Sequence, residues 1–221
     1  MITKTIRKMD FFKIKGESPK KDSYGFDQEW YKTKWQRSGG CGPTVAASLL
    51  YYMQNAISGE ITAESSIQPD ELSLRLTKEL SLKWMEEVWK HVTPSIQGVN
   101  TTKTFYNGVL AYAKSHGMSL RHEFIDIPRK RTLRPPFDRL LSFIGDALEE
   151  DSPVAFLNLH NGGEKALYSW HWVTIIGLEY EEDGSSACAT IMDEGSLKVV
   201  DLFQWFKKTK LGGGFVYFKR I

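Results

Sequence analysis

The sequence predicts an α+β fold, with helices in the first part of the chain and antiparallel strands in the last third. Three observations lead to this prediction. Apolar residues recur at helical spacing in several segments between residues 42 and 150. Short runs after residue 152 have the length and composition of strands. The sequence Asp-Gly-Ser-Ser at residues 183–186 is typical of a hairpin turn between two of these runs.

The predicted helices are taken first. Residues 42–55 are apolar on nearly every side, which predicts a helix buried within the domain. Pro43 suits the first turn of this helix, because the N–H that proline lacks has no helical partner there. The full set of predicted helices covers residues 42–55, 70–91, 102–116 and 137–150, with loops at residues 56–69 and 129–136.

The predicted strands follow one another closely in the last third of the chain. They lie at residues 153–159, 171–179, 187–192, 198–201 and 214–219. The first 40 residues predict a covering arm with one short strand. We find no internal repeat and no low-complexity linker, so the expectation is one domain over residues 1–221.

Composition excludes several classes of function. Hydrophobic residues make up 41% of the chain and charged residues 25%, which is typical of a soluble globular protein. A net charge of +2 gives no indication of nucleic-acid binding. No apolar run approaches the roughly 18 residues of a membrane span, so no membrane partner is expected. The N-terminus lacks the apolar region of a signal peptide, which favours a cytoplasmic location; the alternative is a secreted protein whose signal peptide has been removed.

The sequence gives no indication of a metal or cofactor. The histidines at positions 91, 116 and 122 lack the spacing of zinc ligands. The glycines at 212–214 precede a strand and not a helix, which argues against a phosphate-binding loop. His160, before Gly162 and Gly163, could bind a metal or substrate, but an exposed loop histidine explains it as well. We therefore expect neither a cofactor nor a metal.

Cys41 is the residue that points most directly to chemistry. It lies between Gly39–Gly40 and Gly42–Pro43, where a Gly-rich turn is predicted to lead into the buried helix. The helix dipole and the N–H groups of a first turn favour thiolate over thiol. The alternative is a structural cysteine at a helix start. Cys188, in an apolar strand, is predicted to be an inert core thiol; a disulfide between the two would block thiol chemistry.

Two downstream residues could complete a site around this thiol. His171 begins one predicted strand and Asp193 follows the end of the next. Adjacent antiparallel strands bring the start of one beside the end of the next, so we expect these two side chains to meet. Thiol-dependent acyl transfer needs a nucleophile, a histidine, a group that orients the histidine and donors for the oxyanion. Cys41, His171, Asp193 and Gln36 could supply these in that order.

These motifs resemble those of papain-like cysteine peptidases. The similarity rests on Gln36, on Cys-Gly-Pro-Thr at 41–44, on His-Trp-Val-Thr-Ile-Ile-Gly at 171–177 and on Asp193. It is greatest to the bacteriocin-processing peptidases that cut after a double-glycine leader, and it extends through residues 152–157 and 201–206. The resemblance implies a papain-like fold, with a helical half that carries the thiol, a sheet half that carries the histidine and the carboxylate, and a substrate groove between them.

The resemblance also implies a role for each residue. Cys41 would be the nucleophile, His171 the general base and then acid, and Asp193 the residue that orients the histidine. The Gln36 side chain and the Cys41 N–H would form the oxyanion hole. Gln36 precedes the cysteine by five residues, where six is usual in the family, and Gly40 replaces the Asp or Ser often found before the cysteine.

The predicted function is a cysteine-dependent peptidase or amidase that works through a thioester and takes a peptide or protein substrate. Three alternatives stay open: an acyl or peptidyl transferase, a non-catalytic peptide-binding module, and a hydrolase of cell-wall or small-molecule amides. Each residue also has a simpler interpretation. His171 could pack between Trp170 and Trp172, Asp193 could be a turn residue with Glu194 in its role, and Gln36 could be an exposed polar residue.

Overall fold

The computed structural model describes residues 1–14, 22–61 and 77–221, with residues 56–61 described by their backbone alone. Its helices are α1 (Lys34–Gly39), α2 (Cys41–Ile61), α3 (Lys78–Trp89), α4 (Thr102–Ser115), α5 (Phe137–Glu149) and α6 (Leu202–Lys208). Its strands are β1 (Ile2–Thr5), β2 (Lys13–Ile14), β3 (Ser23–Tyr24), β4 (Leu120–Ile127), β5 (Val154–Asn158), β6 (His171–Tyr180), β7 (Ala187–Asp193), β8 (Ser196–Asp201) and β9 (Gly213–Arg220). The fold is α+β, as predicted.

A seven-stranded antiparallel sheet forms the centre of the molecule. Its strand order is β4-β9-β5-β6-β7-β8, and β1 pairs with β6 beside this path. Strands β6, β7 and β8 form a meander in which each strand follows its neighbour directly. Strands β2 and β3 form a separate small ribbon. The meander places the beginning of β6 beside the end of β7, which is the edge where the candidate site lies.

The sheet is buried on both faces, and strand β5 shows how. All five of its residues are buried; Val154 and Phe156 belong to one apolar cluster, and Ala155 and Leu157 to another. The first cluster includes buried residues of α5 and α6, and the second includes those of α2, α3 and α4. A strand buried on both faces has a continuous apolar run, which matches the sequence of β5.

Helix α2 packs against the sheet through small and branched side chains. Ala46, Ala47 and Leu50 are fully buried, and Leu49 is 1% exposed. The prediction of a buried helix in this region is therefore confirmed. The helix continues to Ile61, so the predicted loop at 56–69 begins too early. The rest of that loop, and the first part of the helix predicted at 70–91, lie outside the described residues.

Several elements depart from the expectation that helices come first and strands second: β1 begins the chain, β4 precedes α5, and α6 lies between β8 and β9. Strand β4 occupies residues 120–127 and forms an edge of the main sheet against β9. Its residues alternate imperfectly and several are charged, so the pattern did not identify a strand. A short helix, α1, also precedes Cys41. Among the described residues, no helix combines the length and apolar character that a membrane span requires.

Candidate active site

Cys41 is the first residue of α2, and the chain reaches it through a helix and not through a turn. Thr33 and Gln36 form a capping box that starts α1, which ends at Gly39. Gly40 has helical dihedral angles, so the predicted Gly-rich turn before the thiol is wrong. A Cβ atom at Gly40 would collide with the Gln36 carbonyl oxygen, and one at Gly42 would lie 2.8 Å from Val99 Cβ. The glycines therefore allow close packing around the thiol.

His171 and Asp193 meet at the edge of the sheet, as the strand order predicts. The His171 Nε2 atom donates a hydrogen bond to Asp193 Oδ1 over 2.6 Å. Both side chains are buried, with 10% and 2% of their surface exposed. Because Nε2 is engaged by the carboxylate, Nδ1 is the ring nitrogen that remains available to Cys41, which lines the same cleft and contributes to the raised pKa of His171. The imidazole thus lies between an acid and a thiol.

The polar partners of His171 change its pKa more than its burial does. Burial alone would lower the pKa of His171, but the hydrogen bonds to Asp193 and Cys41 raise it to about 10. Burial alone would raise the pKa of Asp193. The hydrogen bond from His171 and the ammonium of Lys198 nevertheless hold the pKa of Asp193 below its usual value. The arrangement therefore favours an ionised carboxylate beside an imidazolium near neutral pH.

Lys198 is a member of this cluster that the sequence analysis missed. Its Nζ atom lies 2.7 Å from Asp193 Oδ2, the oxygen that His171 does not use. The pairing of β7 with β8 predicts this contact. Asp193 pairs with Ser196, so Lys198 is the diagonal neighbour of Asp193 on the same face of the sheet. Glu194 Oε2 lies 3.7 Å from the same ammonium, so it contacts Lys198 while Asp193 binds the imidazole.

The backbone is strained on both sides of the His171–Asp193 pair. Trp170, directly before the histidine, has φ of 58°, and Glu194, directly after the aspartate, has φ of 49°. Only three non-glycine residues in the described part of the chain have positive φ, and these are two of them. Such conformations cost of order 1–3 kcal/mol each and cluster at functional sites. Glu194 and Gly195 both have positive φ, which fits the two-residue turn between β7 and β8.

A narrow cleft opens beside the thiol. It has a volume of about 20 Å³ and is lined by Cys41, His171 and Asp193 together with apolar residues such as Phe26 and Met192. A volume of this size holds about one water molecule. Cys41 lines this cleft and is partly exposed.

Gln28 lines the cleft, and Gln36 is not among its lining residues in the described part of the chain. The Gln36 Oε1 atom accepts hydrogen bonds from the backbone N–H and the hydroxyl of Thr33. The Gln28 Oε1 atom is buried and has no hydrogen-bond partner among the described residues. The carboxamide in the cleft is therefore that of Gln28, which the sequence analysis did not consider.

Gln28 reaches the cleft because residues 22–30 fold back over it. Tyr24 N–H donates to Gly195 O over 2.8 Å, which ties this segment to the turn after Asp193. The Phe26 ring makes an edge contact with Tyr51 of α2, with centroids 5.7 Å apart. A short 3-10 helix at Gln28–Trp30 follows. The segment thus spans the sheet edge and the helix.

The remaining sequence candidates have other roles. Both cysteines are free, so Cys41 and Cys188 form no disulfide. His160 Nδ1 accepts hydrogen bonds from the backbone N–H groups of Gly162 and Lys210, which makes it part of a loop framework. Within residues 1–14, 22–61 and 77–221, no cluster of three His, Cys, Asp or Glu residues could hold a metal ion.

A scan against protein-family models found no match for this chain, and a search of curated proteins found none either. What the protein does is therefore argued from its own site.

Proposed function

We propose that this protein is a cysteine-dependent hydrolase of peptide or amide bonds, with Cys41, His171 and Asp193 as its triad. One observation carries the proposal: the His171 ring binds Asp193 at 2.6 Å through Nε2, and Cys41 lines the same cleft as these two residues. A nucleophile, a base and a residue that orients the base are the parts of such a site. A helix that carries the thiol and a sheet edge that carries the other two residues support a papain-like arrangement.

The geometry supports two chemical steps. In the first, Cys41 Sγ attacks the carbonyl carbon of the substrate and forms a C–S bond. The C–N bond breaks as the imidazolium of His171 gives its proton to the leaving amine. In the second, the now neutral His171 takes a proton from water, whose oxygen attacks the thioester carbon. The C–S bond breaks, the acid leaves, and the proton on His171 restores the starting pair.

The oxyanion of each step needs donors in the cleft. We assign the Gln28 carboxamide to this role together with the Cys41 N–H, in place of Gln36. The amide of Gln28 is unpaired at its oxygen and can turn its NH₂ group toward a developing charge. The narrow cleft favours substrates with a small residue, such as glycine, at the acyl position.

The first prediction concerns the reactivity of Cys41. Iodoacetamide should modify Cys41 at neutral pH at least about 10-fold faster than Cys188, because a neighbouring imidazolium favours the thiolate, which is the nucleophilic form. Site-resolved mass spectrometry across pH measures this rate. Cys188 serves as the internal control and should react slowly, since burial and nearby Asp201 and Glu179 raise its pKa. Modification of Cys41 that is no faster than that of Cys188 contradicts the proposal.

The second prediction separates the two glutamines. Gln28→Ala should lower kcat/KM by about 10²–10³-fold, the usual cost of one oxyanion donor. Gln36→Ala is the matched control. It should leave kcat/KM nearly unchanged and lower stability by about 1 kcal/mol, because it removes half of the capping box of α1. Steady-state kinetics and thermal melts on both variants decide this. Loss of activity in Gln36→Ala alone would return the oxyanion role to Gln36.

A further inference from the structure

The carboxylate of Asp193 has two cationic partners, one on each oxygen. Oδ1 receives the His171 ring at 2.6 Å, and Oδ2 receives the Lys198 ammonium at 2.7 Å. The Asp193 side chain is 2% exposed and that of Lys198 is 25% exposed. The lysine therefore covers the solvent side of the aspartate and fixes the plane of the carboxylate from the oxygen opposite the imidazole.

Lys198 is held in place by more than the aspartate. Its Nζ atom lies 5.4 Å from the centroid of the Tyr168 ring, a distance at which a cation is attracted to an aromatic face. Glu194 Oε2 is 3.7 Å away. The Tyr168 ring also meets the His171 ring edge-on, with centroids 6.0 Å apart. Tyr168, Glu194 and Asp193 thus surround the ammonium on β8.

Glu194 is 36% exposed, so solvent screens its charge. The charges of the remaining groups of the site balance only when Lys198 is included. A thiolate, an imidazolium, a carboxylate and an ammonium sum to zero. Without the ammonium, the three remaining groups carry a net negative charge at a largely buried place. Uncompensated charge is costly there, because the surrounding protein screens it much less than water does. The ammonium of Lys198 therefore compensates the negative charge that an ionised triad would otherwise carry at this buried position.

We propose that Lys198 is a positioning residue of the active site, which orients Asp193 and sets the pH range in which Cys41 and His171 exist as an ion pair. This inference rests on the proposed function. The direction in which this pH range shifts when Lys198 is removed follows from charge alone. Removing a positive charge makes a thiolate harder to form and an imidazolium harder to deprotonate, so both limits of the active range move to higher pH.

The experiment compares three variants by the alkylation rate of Cys41 across pH, which requires no substrate. Lys198→Met removes the ammonium and Lys198→Arg retains a cation. Lys219→Met is the matched control: Lys219 also pairs with a glutamate, Glu150, lies 5.4 Å from the Tyr217 ring centroid and is 24% exposed. Thermal melts establish that each variant is folded, and ¹⁵N chemical shifts of the His171 ring report its protonation directly.

We expect Lys198→Met to lower the alkylation rate at pH 6 by about 10-fold, the effect of one pH unit on a titration. The His171 ring should also keep its proton to a higher pH. Lys198→Arg should stay within about 3-fold of wild type, and Lys219→Met should be unchanged. A role confined to stability would lower the melting temperature without moving either titration. Should Lys198→Met fail to fold, Lys198→Gln, which retains a hydrogen-bond donor without the charge, takes its place.

The outcomes distinguish a failure of the role proposed for Lys198 from a failure of the proposed function. If wild-type Cys41 reacts with iodoacetamide no faster than Cys188, the proposed function fails. If wild-type Cys41 is reactive at low pH and folded Lys198→Met has the same profile, the proposed function stands and the role of Lys198 is overturned. A shift of equal size in Lys219→Met would also overturn it, since the effect would then be one of general charge.

Discussion

A Cys41→Ala variant is expected to lose at least about 10⁴-fold in turnover while it keeps the fold and the affinity for substrate. The nucleophile forms the bond that defines the first step, so its loss removes transition-state chemistry and not ground-state binding. The change is small in volume, and Cys41 is partly exposed, so little packing is lost. Peptide and isopeptide libraries with glycine before the scissile bond provide the assay, and calorimetry with a cleaved peptide measures affinity.

Cys188→Ala is the matched control for this result. It removes the other free thiol, on β7, and should retain full turnover. One outcome would decide against catalysis altogether. If wild type and Cys41→Ala process every substrate at the same negligible rate, yet both bind one peptide equally well, the scaffold serves recognition and not hydrolysis.

An Asp193→Ala variant is expected to have the largest effect on stability, a loss of about 3–5 kcal/mol near neutral pH. The substitution leaves the buried His171 ring and the Lys198 ammonium without the carboxylate that they share. Urea titration of wild type and variant measures the difference. Glu150→Ala is the control, because it removes the carboxylate of the more exposed Lys219 pair and should cost at most about 1 kcal/mol.

The stability difference between wild type and Asp193→Ala should depend on pH in a defined way. The pKa of His171 is raised from 6.5 to about 10, so its contribution is complete below 6.5 and is lost as the pH rises toward 10. The pKa of Asp193 is lowered from 3.8, so its contribution is complete above 3.8 and is lost as the pH falls below that value. The difference should therefore be largest between about pH 5 and 6.5. A difference that is flat from pH 3 to 10 contradicts this account.

Local patterns predicted the parts of the site that depend on strand order. His171 and Asp193 were expected to meet because neighbouring antiparallel strands place the start of one beside the end of the next. The pairing of β6 with β7 brings the two residues together. The buried helix behind Cys41 was equally readable from its continuous apolar run. In each case the information lies within one helix or one pair of neighbouring strands.

The sequence analysis did not identify Gln28 or Lys198, because their positions depend on tertiary packing. Gln36 has a competing local role at the start of a helix. Gln36 was assigned by resemblance, although it precedes Cys41 by five residues and not six; Thr33 and Gln36 also form the T-x-x-Q pattern that starts a helix. Gln28 reaches the cleft through a segment that docks on the turn after Asp193, and no spacing rule predicts that docking. Lys198 was readable only once the β7–β8 register was known.

The separation of the site along the chain has a consequence for folding. His171 and Asp193 are 22 residues apart on neighbouring strands, so closing that loop costs little entropy and the pair can form early. Cys41 is on a helix far earlier in the chain and reaches the pair only when α2 packs on the sheet, a contact that closes a longer loop and costs more entropy. Until that step the chain carries an ordinary thiol. In the proposed mechanism, activation of the nucleophile therefore waits for this packing, and a nascent chain in which α2 is not yet docked carries a thiol without its base.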